Sequence, residues 1–337
     1  MELLCPAGNL AAVKSALIAG ADAIYLGLRN ETNARSFAGL NFTPDRLEQA
    51  VKLIHRRGKQ AYLTLNTFAQ PGQEARWYQA IDLAADLRMD AVIVADLALL
   101  AYARANHPAL PLHLSVQASA SNAAALRFYR QQFNIRRAVL PRVLSTRQIQ
   151  ALGREKIVDL EVFAFGSLCI MAEGRCRLSS WVTGQSPNTG GSCSPAKFVR
   201  WQENGANRDT LLNHMLIDRS GLQDAMGYPV VCKGRYLAAS QTKPDAKPAY
   251  LLQAPTSLCT LTLLPQLQQA GVVSLKIEGR QRSPAYVDQV TRVWRQAIDS
   301  LTYSTSSYRV ETQWQKQLAK ISEGQITTPG AYSRDWQ

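Results

Sequence analysis

Histidine is scarce in this chain of 337 residues: four in all, at 55, 107, 113 and 214, none paired with another at ligand spacing. Without an H-E-x-x-H helix, a zinc hydrolase of the usual kind has no ligands. A G-x-S-x-G elbow and a G-x-x-x-x-G-K-[ST] loop are missing too, which removes the α/β-hydrolase nucleophile and the Walker-type phosphate cradle. No two cysteines stand as C-x2-C, the pair typical of zinc ribbons and fingers. No apolar run reaches the roughly 20 residues of a membrane span. The longest, "DAVIVADLALLAYARA", is interrupted by Asp96 and reads as a buried strand leading into a helix. The opening "MELLCPAGNL" shows no charged, apolar and small-residue zones of a secretory signal, so a cytoplasmic protein is expected. Acidic residues are in the minority, 25 against 38 Lys and Arg, for a net charge of +13 that attracts an anionic partner. With no dense Lys/Arg run and no aromatic-bearing RNA-recognition motif, charge alone does not choose that partner.

What is present is a long alternation of short apolar strand patterns with amphipathic helical ones, the signature of β/α units around a parallel sheet. Eight strands are expected, over 2–8, 23–28, 61–66, 91–96, 112–117, 137–142, 160–166 and 274–280. Eight units in succession predict an α/β fold of the (β/α)8 barrel kind, one domain over 1–337. The stretch 167–254, rich in Gly, Ser, Pro, Asn and Asp, breaks the rhythm and reads as an insertion after the seventh strand; 305–337 reads as a C-terminal extension. In such a barrel, loops leaving the strand C-termini form the functional mouth, so the insertion is expected there.

Four cysteines, Cys169, Cys176, Cys193 and Cys232, lie inside that insertion. A reducing compartment and a core of this size argue against a disulfide framework. Four thiolates suit either a tetrahedral zinc site or an iron–sulphur cluster, and spacing leaves the two open. Cys5 and Cys259 have apolar neighbours, in the first strand and in a helical pattern before the eighth, and are expected in the core.

Chemistry is sought at the strand ends: Asn66, Asp96, Gln117, Arg142, Lys276, Glu278 and Arg280. In "LKIEGR" a period of two places Lys276, Glu278 and Arg280 on one face, with Leu275 and Ile277 on the other. Charges facing the lumen need partners, so either an internal ion pair closes strand eight against strand one or the group serves a substrate. In the second case Arg280, with Arg142, offers a fork to an anionic co-substrate.

The opening "ELLCPAGNLAAVKSALIAGADAIYLGL" resembles that of the collagenase-like peptidase U32 family, and so do "LTLNT", "LSVQASASN", "EGRC", "GGSC" and "LKIEGRQRSPAYV". The likeness runs over about the first 300 residues. Within the family, the length, the opening and the four cysteines are similar to a branch that hydroxylates the aromatic ring of ubiquinone precursors without dioxygen. The resemblance implies a [4Fe–4S] cluster on Cys169, Cys176, Cys193 and Cys232, a heterodimer with the homologous subunit UbiV, polyprenyl-phenol substrates, and prephenate as a plausible oxygen donor. It leaves two alternatives within the family, a prephenate-dependent RNA base hydroxylase and a peptidase, and a third in a protein that only delivers electrons. One departure stands out: "GGSCSPAKF" carries Lys197 and Phe198 where many relatives have a further Cys and Arg, so RNA-contacting residues there are not carried over.

Overall fold

Eight parallel strands close on themselves. The computed structural model describes residues 1–333 apart from 35, 38, 172, 190, 191, 225, 226 and 239–245. The first seven barrel strands are β1 (Glu2–Pro6), β2 (Ala23–Gly27), β3 (Gln60–Leu65), β4 (Ala91–Val94), β5 (Leu112–Leu114), β6 (Arg137–Val139) and β7 (Asp159–Ser167). The insertion supplies β8 (Val199–Asn204), β9 (Asn207–Leu212), β10 (Met215–Gly221), β11 (Arg235–Tyr236), β12 (Ala249–Tyr250) and β13 (Ser257–Cys259). The eighth barrel strand, β14 (Val272–Ile277), pairs in parallel with both β1 and β7 and so shuts the barrel. The predicted (β/α)8 architecture is the one observed, with seven of the predicted strands ending one to three residues before their expected limits and β7 running one residue past its own. The residues beyond those limits turn outward into the mouth loops, as Val116–Ala118 does in a 3-10 turn after β5.

Strand periodicity builds two apolar shells. Leu3 and Cys5 of β1 belong to the large core between barrel and helices. Leu4, between them, packs in a small separate cluster with Ala23, Tyr25, Tyr62, Ala91 and Ile93. Cys5 is therefore a core residue: its Sγ is 3.2 Å from Thr291 Oγ1 on the helix Pro284–Tyr303, and burial pushes its thiol up to about 12. Cys259 also packs against the core, but it ends β13 rather than lying in a helix. Its Ser-Leu-Cys stretch runs antiparallel beside β7, and a strand register overrides the local helical pattern.

The insertion is more regular than its composition suggests. β8, β9 and β10 form an antiparallel sheet whose inner face, Val199, Leu212 and Ile217, makes a small core with Val231. At the C-terminal end, β15 (Thr327–Thr328) pairs with β13, and Tyr332 reaches back to donate to the Phe163 carbonyl at 3.0 Å. Of the predicted extension, residues 334–337 lie outside the described residues, as do 239–245 of the insertion. Among the described residues no helix is long and apolar enough to cross a membrane.

Candidate active site at the barrel mouth

The lumen has two polar layers. In the lower one, Glu2 of β1 accepts from Arg137 at 2.5 Å, Tyr62 at 2.8 Å and Ser274 at 2.8 Å. Glu161 of β7 accepts from Lys276 Nζ at 2.7 Å and Arg137 Nη1 at 3.3 Å. Burial alone would push the Glu161 carboxyl up, but Lys276 and Arg137 together hold it below the usual range. Lys276 is drawn down by burial, against the pull of Glu161. His113, at the same level and edge-on to Tyr62, is lowered to about 3, first by burial and then by Arg137, and is therefore neutral. The pairing expected for strand eight exists, but Lys276 meets strand seven instead of strand one, while Ser274 joins β14 to Glu2 on β1.

Above this layer opens a small cavity of about 50 Å³, walled by Tyr25, Phe163, Ile93 and Val139. Of the seven strand-end candidates six line it, Asn66, Gln117, Arg142, Lys276, Glu278 and Arg280; Asp96 does not. The two arginines are not the open forks expected of them. Arg142 is buried, gives Nε to Glu173 Oε1 at 2.9 Å and Nη1 to the Ser167 carbonyl at 2.6 Å, and lies 4.4 Å over the Phe163 ring. Burial opposes its charge, and Glu173 more than restores it, so its pKa is raised. Arg280, also buried, gives Nη1 to Asn33 and, at 2.5 Å, to Thr64. Asn66 accepts from the Ala34 amide at 2.9 Å, and Glu278 accepts from the Ser167 amide at 3.3 Å. Asp96 is a helix cap: its carboxylate accepts from Ala98 at 2.7 Å and Ala69 at 3.2 Å, and it does not line the cavity.

Two acceptors at the mouth are left over. Glu173 Oε2 and Gln117 Oε1 are buried, and neither has a hydrogen-bond partner among the described residues. Glu173 is held by its neighbours: Ser119 Oγ bonds its carbonyl, and Gly174, at φ 82°, packs so tightly on the Gln117 carbonyl that a Cβ would collide with it. Glu173 was visible in the sequence only within "EGRC"; Glu161 was signalled by a lone charge inside the apolar β7, and Glu2, Tyr62 and His113 by nothing beyond strand position.

The cysteine segments converge beside this mouth. Lys233, adjoining Cys232, bonds Ser167 Oγ at 3.0 Å and pairs with Glu323, so Cys232 is drawn towards the segment bearing Cys169. Asn188 donates to the Cys176 carbonyl at 3.1 Å, and Tyr228 to the Ser194 carbonyl at 2.8 Å, beside Cys193. Burial pushes the Cys232 thiol up to about 12, and the nearby Cys169, Cys193 and Cys176 add to that rise. Cys169 is raised by burial and opposed by Arg142. All four are free thiols, and among the described residues no three Cys, His, Asp or Glu side chains stand in closed metal-ligand geometry.

Comparison with known proteins adds relatives of two kinds. The chain is 32% identical to an uncharacterised protease of Methanocaldococcus jannaschii, over 99% of this chain and 74% of that one. It is 30% identical to tRNA hydroxylation protein P1 of Bacillus subtilis, covering 97% and 70% respectively. It is also 30% identical to a collagenase of Porphyromonas gingivalis, covering 95% and 70%. With a family model matching residues 8–335, on a closed barrel whose mouth carries the quoted motifs, the chain belongs to peptidase family U32.

Proposed function

We propose that this chain is the UbiU-type, iron–sulphur subunit of an oxygen-independent hydroxylase that acts with UbiV on the aromatic ring of polyprenyl-phenol ubiquinone precursors, with prephenate as oxygen donor. The observation that carries it is the gathering of four free thiols, from sequence positions as far apart as 169 and 232, next to the Arg142–Glu173 pair of an aromatic-walled cavity. The donor set fits a [4Fe–4S] cluster, whose ligands are thiolates: Cys169, Cys176, Cys193 and Cys232 would hold it. Such a cluster supplies one-electron chemistry when bound. The chain's own residues do the rest. Arg142 ties the insertion to the barrel lip through Glu173 and Ser167, and Tyr25 and Phe163, each with a cation over one face, supply the aromatic part of the cavity wall.

Anaerobic purification followed by iron, sulphide and zinc analysis tests the reading. About four irons and four sulphides per chain, lost when any of the four cysteines becomes Ala, together with ring hydroxylation in the presence of UbiV, are expected. One zinc without sulphide sinks the redox reading.

A second reading, hydroxylation of an RNA base, is favoured by the +13 charge and by a relative named for tRNA hydroxylation. Tight tRNA binding that weakens steeply with salt, as counterion release requires, would support it.

A further inference from the structure

Beside the small cavity of the barrel mouth lies a second cleft of about 410 Å³, within the size range of small-molecule sites. Its walls come from Phe37 after β2, from Cys193, Tyr228 and Lys233 of the insertion, from Arg282 after β14, and from Glu323 of the C-terminal extension. Glu278 lines both spaces, so they share a wall. Phe37 and Tyr228 meet edge to face with ring centroids 5.7 Å apart, and the Tyr228 hydroxyl is tied to the Ser194 carbonyl at 2.8 Å, which fixes this apolar side.

Arg142 and Arg280, the forks expected to receive an anion, are committed to protein groups. Arg282 is not. Its Nη2 lies 3.7 Å from Glu323 Oε1, too far for a hydrogen bond, and its guanidinium donates to none of the described residues. The same Glu323 carboxylate is already taken by Lys233, which also donates to Ser167. The Arg282 side chain is 38% exposed and lies 5.1 Å over the Tyr286 ring, on a turn closed by its own amide to the Gly279 carbonyl at 2.9 Å. The fork is therefore held in place with its donors open. Lys320, exposed on the helix Thr312–Ile321, is a further cation of the cleft and pairs with none of the described residues. Lys233, Arg282 and Lys320 against Glu278 and Glu323 leave one positive charge unmatched.

We infer that this cleft binds a small monocarboxylate, its carboxylate on the Arg282 fork and its apolar body against Phe37 and Tyr228. A guanidinium meets a carboxylate in one plane through two parallel N–H···O bonds, a match that an ammonium cannot make. A second carboxylate would face Glu278 and Glu323 with no cation left to balance it, so a dicarboxylate is refused. Arg282 touches the ligand, and Glu323 is a positioning residue that anchors Lys233 and stands behind the guanidinium. The site is separate from the barrel mouth, and its occupancy does not depend on the proposed hydroxylation.

The test is calorimetry on the full-length, anaerobically purified protein at low salt, with phenylacetate, its neutral isostere phenylacetamide, and phenylsuccinate as a dicarboxylate. Phenylacetate should bind about tenfold tighter than the amide, the worth of one charge-assisted hydrogen bond. Arg282→Gln should bring the two together while thermal unfolding stays unchanged, and Arg282→Lys should restore only part of the difference. Phe37→Ser should weaken acid and amide alike. Should Arg282→Gln not fold, Lys320→Gln on its exposed helix face still decides, with a loss of about threefold for phenylacetate alone, as one exposed ion pair contributes. No binding of phenylacetate, equal affinity for the amide in the wild type, an unchanged difference in Arg282→Gln, or tighter binding of phenylsuccinate would each overturn the inference. So would displacement of phenylacetate by inorganic phosphate in preference to acetate, or by tRNA, since either would assign these cations to a phosphate. Turnover is read in none of these arms, so a protein that fails to hydroxylate with UbiV would lose the proposed reaction and keep this site.

Discussion

The two polar layers of the barrel differ in which groups their hydrogen bonding leaves over, nitrogens (Arg137 Nε and His113 Nδ1) in the lower layer and acceptor oxygens in the upper. In the lower layer all four carboxylate oxygens of Glu2 and Glu161 are bonded, to Arg137, Tyr62, Ser274 and Lys276. In the upper layer Glu173 uses one oxygen on Arg142 and leaves the other bare, and Gln117 leaves its carbonyl bare. Carboxylates bonded at every oxygen contribute to a unique fold, whereas a bare buried carboxylate or amide oxygen costs stability until something donates to it. Lys276 is the one residue that belongs to both, bonded below and facing the cavity above.

That contrast breaks hardest from below. Glu161→Ala leaves Lys276 and Arg137 buried without their shared carboxylate, and should cost about 3–5 kcal/mol in urea unfolding. A loss much smaller than this means that water enters the lower layer and the network is not closed. At the upper layer, Gly174→Ala meets both a left-handed backbone and the Gln117 carbonyl. A cost of about 2 kcal/mol is expected, together with lower iron content, because the turn that carries Glu173 also leads to Cys176. Unchanged iron would separate the lip from the cysteine region.

Acid sharpens the comparison further. His113 has a folded value of about 3 against 6.5 when unfolded, so between those values the unfolded chain takes up a proton that the folded chain refuses. Stability therefore rises with pH in this window and falls as pH drops below about 6.5, with a limiting slope of about 1.4 kcal/mol per pH unit for one proton. Glu161, depressed in the folded state, adds to the fall below its ordinary value of 4.5, where the unfolded chain's carboxyl takes up a proton that the folded one refuses. Replacing His113 by Phe should flatten the pH 4–6 part of a stability profile; an unchanged profile would place the titration elsewhere. The smallest effect is the most diagnostic. Gln117→Leu removes an unpartnered buried acceptor and should raise stability by about 1 kcal/mol in thermal unfolding, while the same change in the lower layer, Ser274→Ala, should lower it.

Much of this was legible along the chain. The eight strands could be counted because each is a short apolar run bounded by helical periods, and strand period two placed Lys276, Glu278 and Arg280 together on the lumen face. Six of the seven strand-end candidates line the mouth because strand C-termini in a closed barrel lead there, while Asp96 is taken by the helix it caps. What escaped was pairing. That Arg142 is committed to Glu173, and Arg280 to Asn33 and Thr64, involves partners 31, 247 and 216 positions away, and no local pattern encodes such distances. The antiparallel sheet of the insertion escaped because its strands are mostly exposed and lack a long apolar stripe.

By itself the sequence determined the barrel, the face on which the strand-eight charges lie, and the presence of four cysteines outside the repeating units, since all three depend on periodicity and spacing along one chain. Only the tertiary structure decided that Lys276 meets β7, that Lys233 draws Cys232 towards Cys169, and that Glu173 and Gln117 end with bare buried oxygens. Those outcomes depend on which distant groups compete for the same donor once the barrel has closed. Hydrogen-bond saturation is a property of that closed volume, and no segment of the chain carries it alone.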